Sequence, residues 1–131
     1  MLELAITLST GSVTSGGTFV GGLVGCNDGT VSDSYSTGSV SGHEGVGGLV
    51  GFDLHIIVEG TVSNSFWDTQ TSGRAISNGG TGKTTAEMQD SATFSGAGWN
   101  IIAVGSPVER NPAYIWNIVD EQTYPFLSWQ S

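Results

Sequence analysis

The chain carries one thiol, Cys26, and two imidazoles, His43 and His55. The histidines stand 12 residues apart with no second ligand pair nearby, which is not a zinc-site spacing. They read as surface residues. A single cysteine allows no intrachain disulfide, and Cys26 reads as a small buried hydrophobe. Carboxylates in the first half are Asp28, Asp33, Asp53, Glu59 and Asp68. Glycoside hydrolysis needs two carboxyl groups converging across a cleft, and no spacing among these five forces that. Abstracting a proton beside a uronate usually calls for a basic group near the substrate, yet residues 11–69 hold no Lys or Arg. A nucleophile elbow of the Gly-x-Ser-x-Gly kind between a strand and a helix is missing too. No residue is assigned a catalytic role, and the chain reads as a non-enzyme.

Three further stretches invite a chemical reading. Gly79-Gly-Thr-Gly-Lys-Thr-Thr85 has the look of a phosphate-binding loop, but the position five before the Gly-Lys pair is Ser77 and no buried strand precedes it. It reads as a turn plus a helix start. Asp68-Thr-Gln-Thr-Ser-Gly73 resembles a calcium loop in outline only. Gln70 and Gly79 stand where an EF-hand needs an oxygen ligand and a glutamate. An Asx-type turn is the simpler reading, with Asp68 as the first ligand if Ca²⁺ binds. No other cofactor is expected. Trp67 replaces Ser36 in the repeat alignment given below, so it need not be buried. It is the candidate stacking platform for a sugar ring, against the alternative of packing beneath the closing segment.

The elements that hold these residues follow from composition. The chain has 131 residues, 21 of them Gly, with a formal net charge of −9 and only 3 Lys+Arg. One domain is expected. So much glycine argues against a helical bundle. Arg74, Lys83 and Arg110 are too few and too scattered for a nucleic-acid footprint, and the acidity disfavours anionic lipid. No apolar run is long enough to span a bilayer, so membrane insertion is not expected. The first eight residues lack the cationic region of a signal peptide. Polarity from Ser, Thr, Asn and Gly, together with 4 Trp, 3 Tyr and 5 Phe to bury, argues against disorder.

An internal repeat organises the first half. Val20-Gly-Gly-Leu-Val-Gly25 recurs at Val46-Gly-Gly-Leu-Val-Gly51, and Thr10-Gly-Ser-Val13 at Thr37-Gly-Ser-Val40. Gly29-Thr-Val-Ser-Asp-Ser-Tyr35 recurs as Gly60-Thr-Val-Ser-Asn-Ser-Phe66, with an insertion in Phe52-Asp-Leu-His-Ile-Ile-Val-Glu59 read as a loop or bulged corner. Three short β segments per repeat of about 26 residues fit one coil of a parallel β-helix. The alignment stacks Val31 on Val62, Tyr35 on Phe66 and Ser12 on Ser39. One coil back, Leu4 falls on Val31 and Leu8 on Tyr35, while Ile6 meets Asp33 and leaves the facing of that column open. Residues 2–10 thus form a strand whose free edge either continues a run of similar coils or pairs with another chain in a head-to-tail filament. Leu4, Ile6 and Leu8 mark that assembly edge.

After Asp68 the repeat ends. Residues 69–84 read as a loop, and Thr84 with Glu87 offers a capping box for one short helix. Residues 92–131 hold Phe94, Trp99, Trp116, Tyr124, Phe126 and Trp129, and read as a closing cap. The expectation is an all-β, right-handed parallel β-helix (a solenoid) of about three coils over residues 1–69. A mixed C-terminal capping segment with one short helix spans 70–131 of the same domain.

The two Gly-Gly-Leu-Val-Gly runs, each followed by Gly-Thr-Val-Ser-x-Ser-aromatic, resemble the GLUG-motif repeats of secreted and surface-anchored bacterial and archaeal proteins. Some of those are adhesins related to filamentous haemagglutinin. Phe66-Trp-Asp-Thr-Gln-Thr-Ser-Gly73, Gly79 to Gln89, Trp116-x-Ile118 and Tyr124-Pro-Phe-Leu-x-Trp129 resemble the segment that often ends such arrays. The resemblance spans roughly residues 10–131. It implies an extracellular or cell-surface structural and adhesive module, a spacer or assembly unit joined to other coils or domains of a larger protein. Partners would be glycans or a neighbouring cell surface. A carbohydrate-binding module and a filament subunit paired through residues 2–10 are the alternatives.

Overall fold

The computed structural model describes residues 3–53 and 60–130. The chain divides into two compact units, Met1–Thr84 and Thr85–Ser131. It is mostly strand, with two short helices, and belongs to the all-β class.

Among the described residues, the first unit holds thirteen strands. A first row runs β1 (Glu3–Ala5), β2 (Leu8–Ser9), β3 (Val13–Thr14), β4 (Thr18–Gly21) and β5 (Val24–Asn27). A second row runs β6 (Thr30–Ser32), β7 (Tyr35–Ser36), β8 (Val40–Ser41), β9 (Glu44–Gly47) and β10 (Val50–Asp53). A third opens with β11 (Thr61–Ser63) and β12 (Phe66–Asp68), and β13 (Thr81–Lys83) follows. Among the described residues, every pairing in this unit is parallel, and every one but β12 with β13 joins a strand to the strand five places on. The registers are those of the repeat alignment. Leu4, Val31 and Val62 form one column, and Leu8, Tyr35 and Phe66 another. Val20 meets Val46, and Val24 meets Val50. Such strands are too short to be stable alone, so the matching of like side chains across rows supplies the cross-strand contacts that hold them.

The column left open by the sequence is a turn column. Ile6, Asp33 and Asn64 all adopt left-handed backbone, with φ of 54°, 48° and 47°. Conformation, not polarity, is what the three positions share. The next residue in each row is a hydroxyl that folds back on the carbonyl two residues earlier. Thr7 Oγ1 donates to Ala5 O (3.2 Å), Ser34 Oγ to Ser32 O (2.7 Å) and Ser65 Oγ to Ser63 O (2.8 Å). Two of these hydroxyls also accept from the row before. Thr7 N–H donates to Ser34 Oγ and Ser34 N–H to Ser65 Oγ, each at 3.2 Å. A corner that would strand backbone groups is thereby satisfied from row to row. Asp and Asn tolerate this conformation, whereas a β-branched residue is strained there. Ile6→Asn is therefore expected to raise stability by about 1 kcal/mol despite losing some apolar contact. An unchanged or lower urea midpoint would contradict this reading of the corner.

Residues 69–80, expected to be a loop of the closing segment, contain no strand but stay bonded to the second row. Val40 N–H donates to Ser72 O, Gly48 N–H to Ile76 O and Asn78 N–H to Val50 O, at 2.9–3.1 Å. With β13 alongside β12, the first compact unit extends to Thr84. The predicted insertion falls largely on residues 54–59, which lie outside the described residues.

Among the described residues, the second unit has two helices where one was expected, α1 (Thr85–Met88) and α2 (Ser91–Ser95). The additional start comes from Asp90, whose carboxylate accepts from Ala92 N–H at 2.9 Å as an N-cap. Strands β14 (Ile101–Ala103), β15 (Trp116–Ile118) and β16 (Phe126–Leu127) form one sheet, parallel between the first two and antiparallel between the last two. Its core is aromatic: Trp99 packs against both Phe94 and Trp116 with ring centroids 4.8 Å apart. Asn117 is buried in this core with its amide satisfied by Asn111, which it contacts through both Oδ1 and Nδ2.

Candidate functional site

Trp67 does not offer a stacking face. It is 5% exposed, packs with Leu49 and Val50, and donates from Nε1 to Arg74 O at 2.8 Å. Glycine on both sides makes the room. A Cβ at Gly48 would overlap the indole, and one at Gly82, its partner on β13, would sit 2.9 Å from Cζ2. Where Ser36 stands one row earlier, its smaller side chain donates to Gly48 O at 2.8 Å. The exposed sugar platform predicted at Trp67 is thus corrected to a core anchor, because the neighbouring glycines open a slot of indole size.

Asp68 is also fully buried. Its Oδ1 accepts from Gln70 N–H (2.8 Å) and Thr71 N–H (2.9 Å), the geometry of an Asx turn. Thr71 Oγ1 then donates to Thr37 O in the preceding row. Among the described residues, no group of three His, Cys, Asp or Glu side chains is placed to hold a metal. Asp33 lies at the left-handed corner and Asp28 is exposed, while His55 and Glu59 lie outside the described residues. His43 is exposed. The phosphate-loop look-alike forms strand β13 followed by a helix of only four residues.

Cys26 is exposed, against the expectation of a buried hydrophobe. Strand alternation explains it. Asn27 takes the inward position, 2% exposed, with Nδ2 donating to Thr61 O and Oδ1 accepting from Gly29 N–H. Leu4 and Leu8 are half-buried on β1 and β2, which are edge strands of their sheets. Ile6 N–H donates to Ser32 O in the second row.

The surface that sequence reasoning missed is built around Phe19. This residue has φ +59° and stands beside Gly45, φ +62°, in the next row. Phe19 is 44% exposed and stacks on Phe52, with centroids 4.7 Å apart and planes 20° from parallel. Phe52 in turn pairs with Cys26 across β5 and β10. Gly45 also lines a cavity of about 370 Å³ with Val46, Gly51, Ile76, Ser77 and Asn78. A bulky side chain held in left-handed backbone and left in solvent is an outlier of the kind that accompanies binding sites. A signal in the sequence was available: the Phe19 position aligns with a glycine.

No protein-family model matches the chain, and no solved structure matches it significantly. It is similar to a protein of Evansella cellulosilytica named "Putative Gly-rich membrane protein", 45% identical over 84 residues. That match covers 62% of this chain and 10% of the relative, so the chain spans about a tenth of the relative's length. Among the described residues, no helix is long and apolar enough to cross a membrane.

Proposed function

We propose that the first unit is a right-handed parallel β-helix of the GLUG-repeat kind, and that it serves as an extracellular structural and adhesive module, a spacer or assembly unit of a larger cell-surface protein. The carrying observation is the pairing of each of strands β1 to β7 with the strand five places along the chain, in parallel and in register, which is how successive coils of a winding chain meet. Right-handedness follows the usual chirality of parallel crossovers. The small share of a much longer glycine-rich relative that the chain matches supports a modular role. An acidic surface with a net charge of −9 suits a soluble extracellular spacer. Protease shaving of intact cells that make the parent protein tests the location. Loss of antibody signal against this chain is expected, and signal retained until the cells are lysed would overturn the reading.

Carbohydrate binding is the second reading, now resting on the Phe19–Phe52 stack instead of Trp67. An exposed aromatic face is suited to a neutral sugar ring. Phe19→Gly keeps a residue that accepts left-handed backbone and removes the ring. Any glycan retained by the protein in an array should bind roughly two- to tenfold more weakly to this variant, the loss of about 0.5–1.5 kcal/mol of aromatic contact. Unchanged binding, or no glycan retained at all, would discard this reading.

A further inference from the structure

We propose that Asn78–Gly79 is a site of spontaneous deamidation in the folded protein, converting position 78 to an aspartyl or isoaspartyl residue.

Six asparagines occur in the chain, and Asn78 alone is followed by glycine. The others are held. Asn27 is buried with both amide atoms bonded. Asn100 Oδ1 accepts from Ile115 N–H, Asn111 Oδ1 from Ala113 N–H, and Asn117 bonds twice to Asn111. Asn64 sits in the left-handed corner, followed by Ser65, whose side chain is tied to the backbone. Asn78 is exposed, and its backbone N–H is anchored on Val50 O at 2.9 Å. Gly79 and Gly80 follow with φ of +135° and +87°. With no Cβ at position 79, nothing on that residue shields its amide nitrogen from the side-chain carbonyl.

The chemistry needs only water and hydroxide. The Gly79 amide nitrogen gives up its proton and attacks Asn78 Cγ, forming the new C–N bond of a five-membered imide. The side-chain nitrogen leaves as ammonia. Water then adds to one of the two imide carbonyls and opens the ring. Opening at one carbonyl gives a normal aspartyl link, and opening at the other routes the backbone through the side chain with an extra methylene. The balance is one water consumed and one ammonia released, and the chain gains one negative charge.

The position gives the change a consequence. Ser77 Oγ accepts from Leu49 N–H (3.2 Å) and Val50 N–H (2.8 Å) and donates to Val50 O (3.1 Å). Together with Asn78 N–H, this fastens the irregular third row to β10. An isoaspartyl link lengthens the backbone beside that fastening and places a carboxylate on the wall of the cavity that Gly45, Val46 and Gly51 also line. Ageing thus loosens the third row and charges the groove.

The test holds the folded chain at mildly alkaline pH, samples it over days, digests at acid pH and maps every asparagine by mass spectrometry with isoaspartyl methyltransferase labelling. Conversion at position 78 is expected several-fold ahead of the other five asparagines, with the isoaspartyl label confined to that peptide. The label should be absent in Asn78→Gln. The urea midpoint of wild type should fall as conversion rises, while that of the variant stays constant. Conversion at 78 no faster than elsewhere, or conversion only after the chain is denatured, would overturn the proposal. Because the five other asparagines in the same sample are the reference, the result stands even if Asn78→Gln folds poorly.

Discussion

Trp67→Ala is expected to cost about 3–5 kcal/mol, a loss large enough to unfold much of a marginally stable unit. The indole is 5% exposed, and its slot is walled by Gly48 and Gly82, which have no side chains to collapse into the space. Removing it also deprives Arg74 O of the Nε1–H donor. That carbonyl belongs to the irregular stretch of residues 69–80, whose Arg74 Nε donates to Val40 O at 2.9 Å. Loss of the ring should therefore loosen the third row first. Urea denaturation followed by far-ultraviolet circular dichroism, with hydrogen exchange on residues 69–80, measures both. A midpoint within experimental error of wild type would mean that the ring is not a core anchor.

Gly21→Ala carries the second large effect. A Cβ at Gly21 would overlap the Val24 carbonyl and sit 2.8 Å from Gly51 N and Leu49 O. All three are backbone atoms, two of them in the row stacked against it, so they cannot swing aside as a long side chain can. The expected loss is about 3 kcal/mol, at the upper end of overpacking effects. Gly11→Ala is the matched control, since a Cβ there has nothing within 4 Å. It should be neutral or stabilise by about 0.4–1 kcal/mol through the reduced freedom of the unfolded chain. Thermal unfolding of the two variants beside wild type separates tight packing from glycine content. Equal losses in both would sink the close-approach account.

Much of the row architecture was legible because the repeats are nearly identical. Val20-Gly-Gly-Leu-Val-Gly25 and its copy pair residue by residue, as do Val31 with Val62 and Tyr35 with Phe66. The Ile6 column was legible in position but not in cause. A hydrophobe aligned with Asp33 and Asn64 looks like a conflict of polarity until the shared left-handed φ is seen. Asp and Asn were the clue, being among the few non-glycine residues that accept that backbone. Residues 69–84 read as loop because they are rich in Thr, Ser, Gly and Asn, yet β13 lies within them and the backbone carbonyls and amides of 69–80 continue to meet the second row. Pattern reading sees side chains and is blind to a ladder made by an irregular backbone.

The candidate site was less legible. Trp67 was judged by its column partner Ser36, but its burial is set by Gly48, which lies in another strand turn, and by Gly82, in a stretch read as loop. Cys26 was judged by residue type, but its facing follows from Asn27 taking the interior. The Phe19–Phe52 stack joins two residues 33 positions apart that the repeat alignment does not pair, so only coordinates bring them together.

Cross-linking at Cys26 tests most directly whether the rows stack in the stated register. Cys26 and Phe52 are Cα partners on parallel strands, which lie about 4.8 Å apart, within disulfide range. Phe52→Cys should form an intrachain bond with the exposed native thiol under mild oxidation, readable as a monomeric cross-linked peptide. Asp53→Cys, whose Cα partner is Asn27 and not Cys26, should not. A bond formed at 53 in preference to 52, or at neither, would contradict the parallel stacking on which the rest depends.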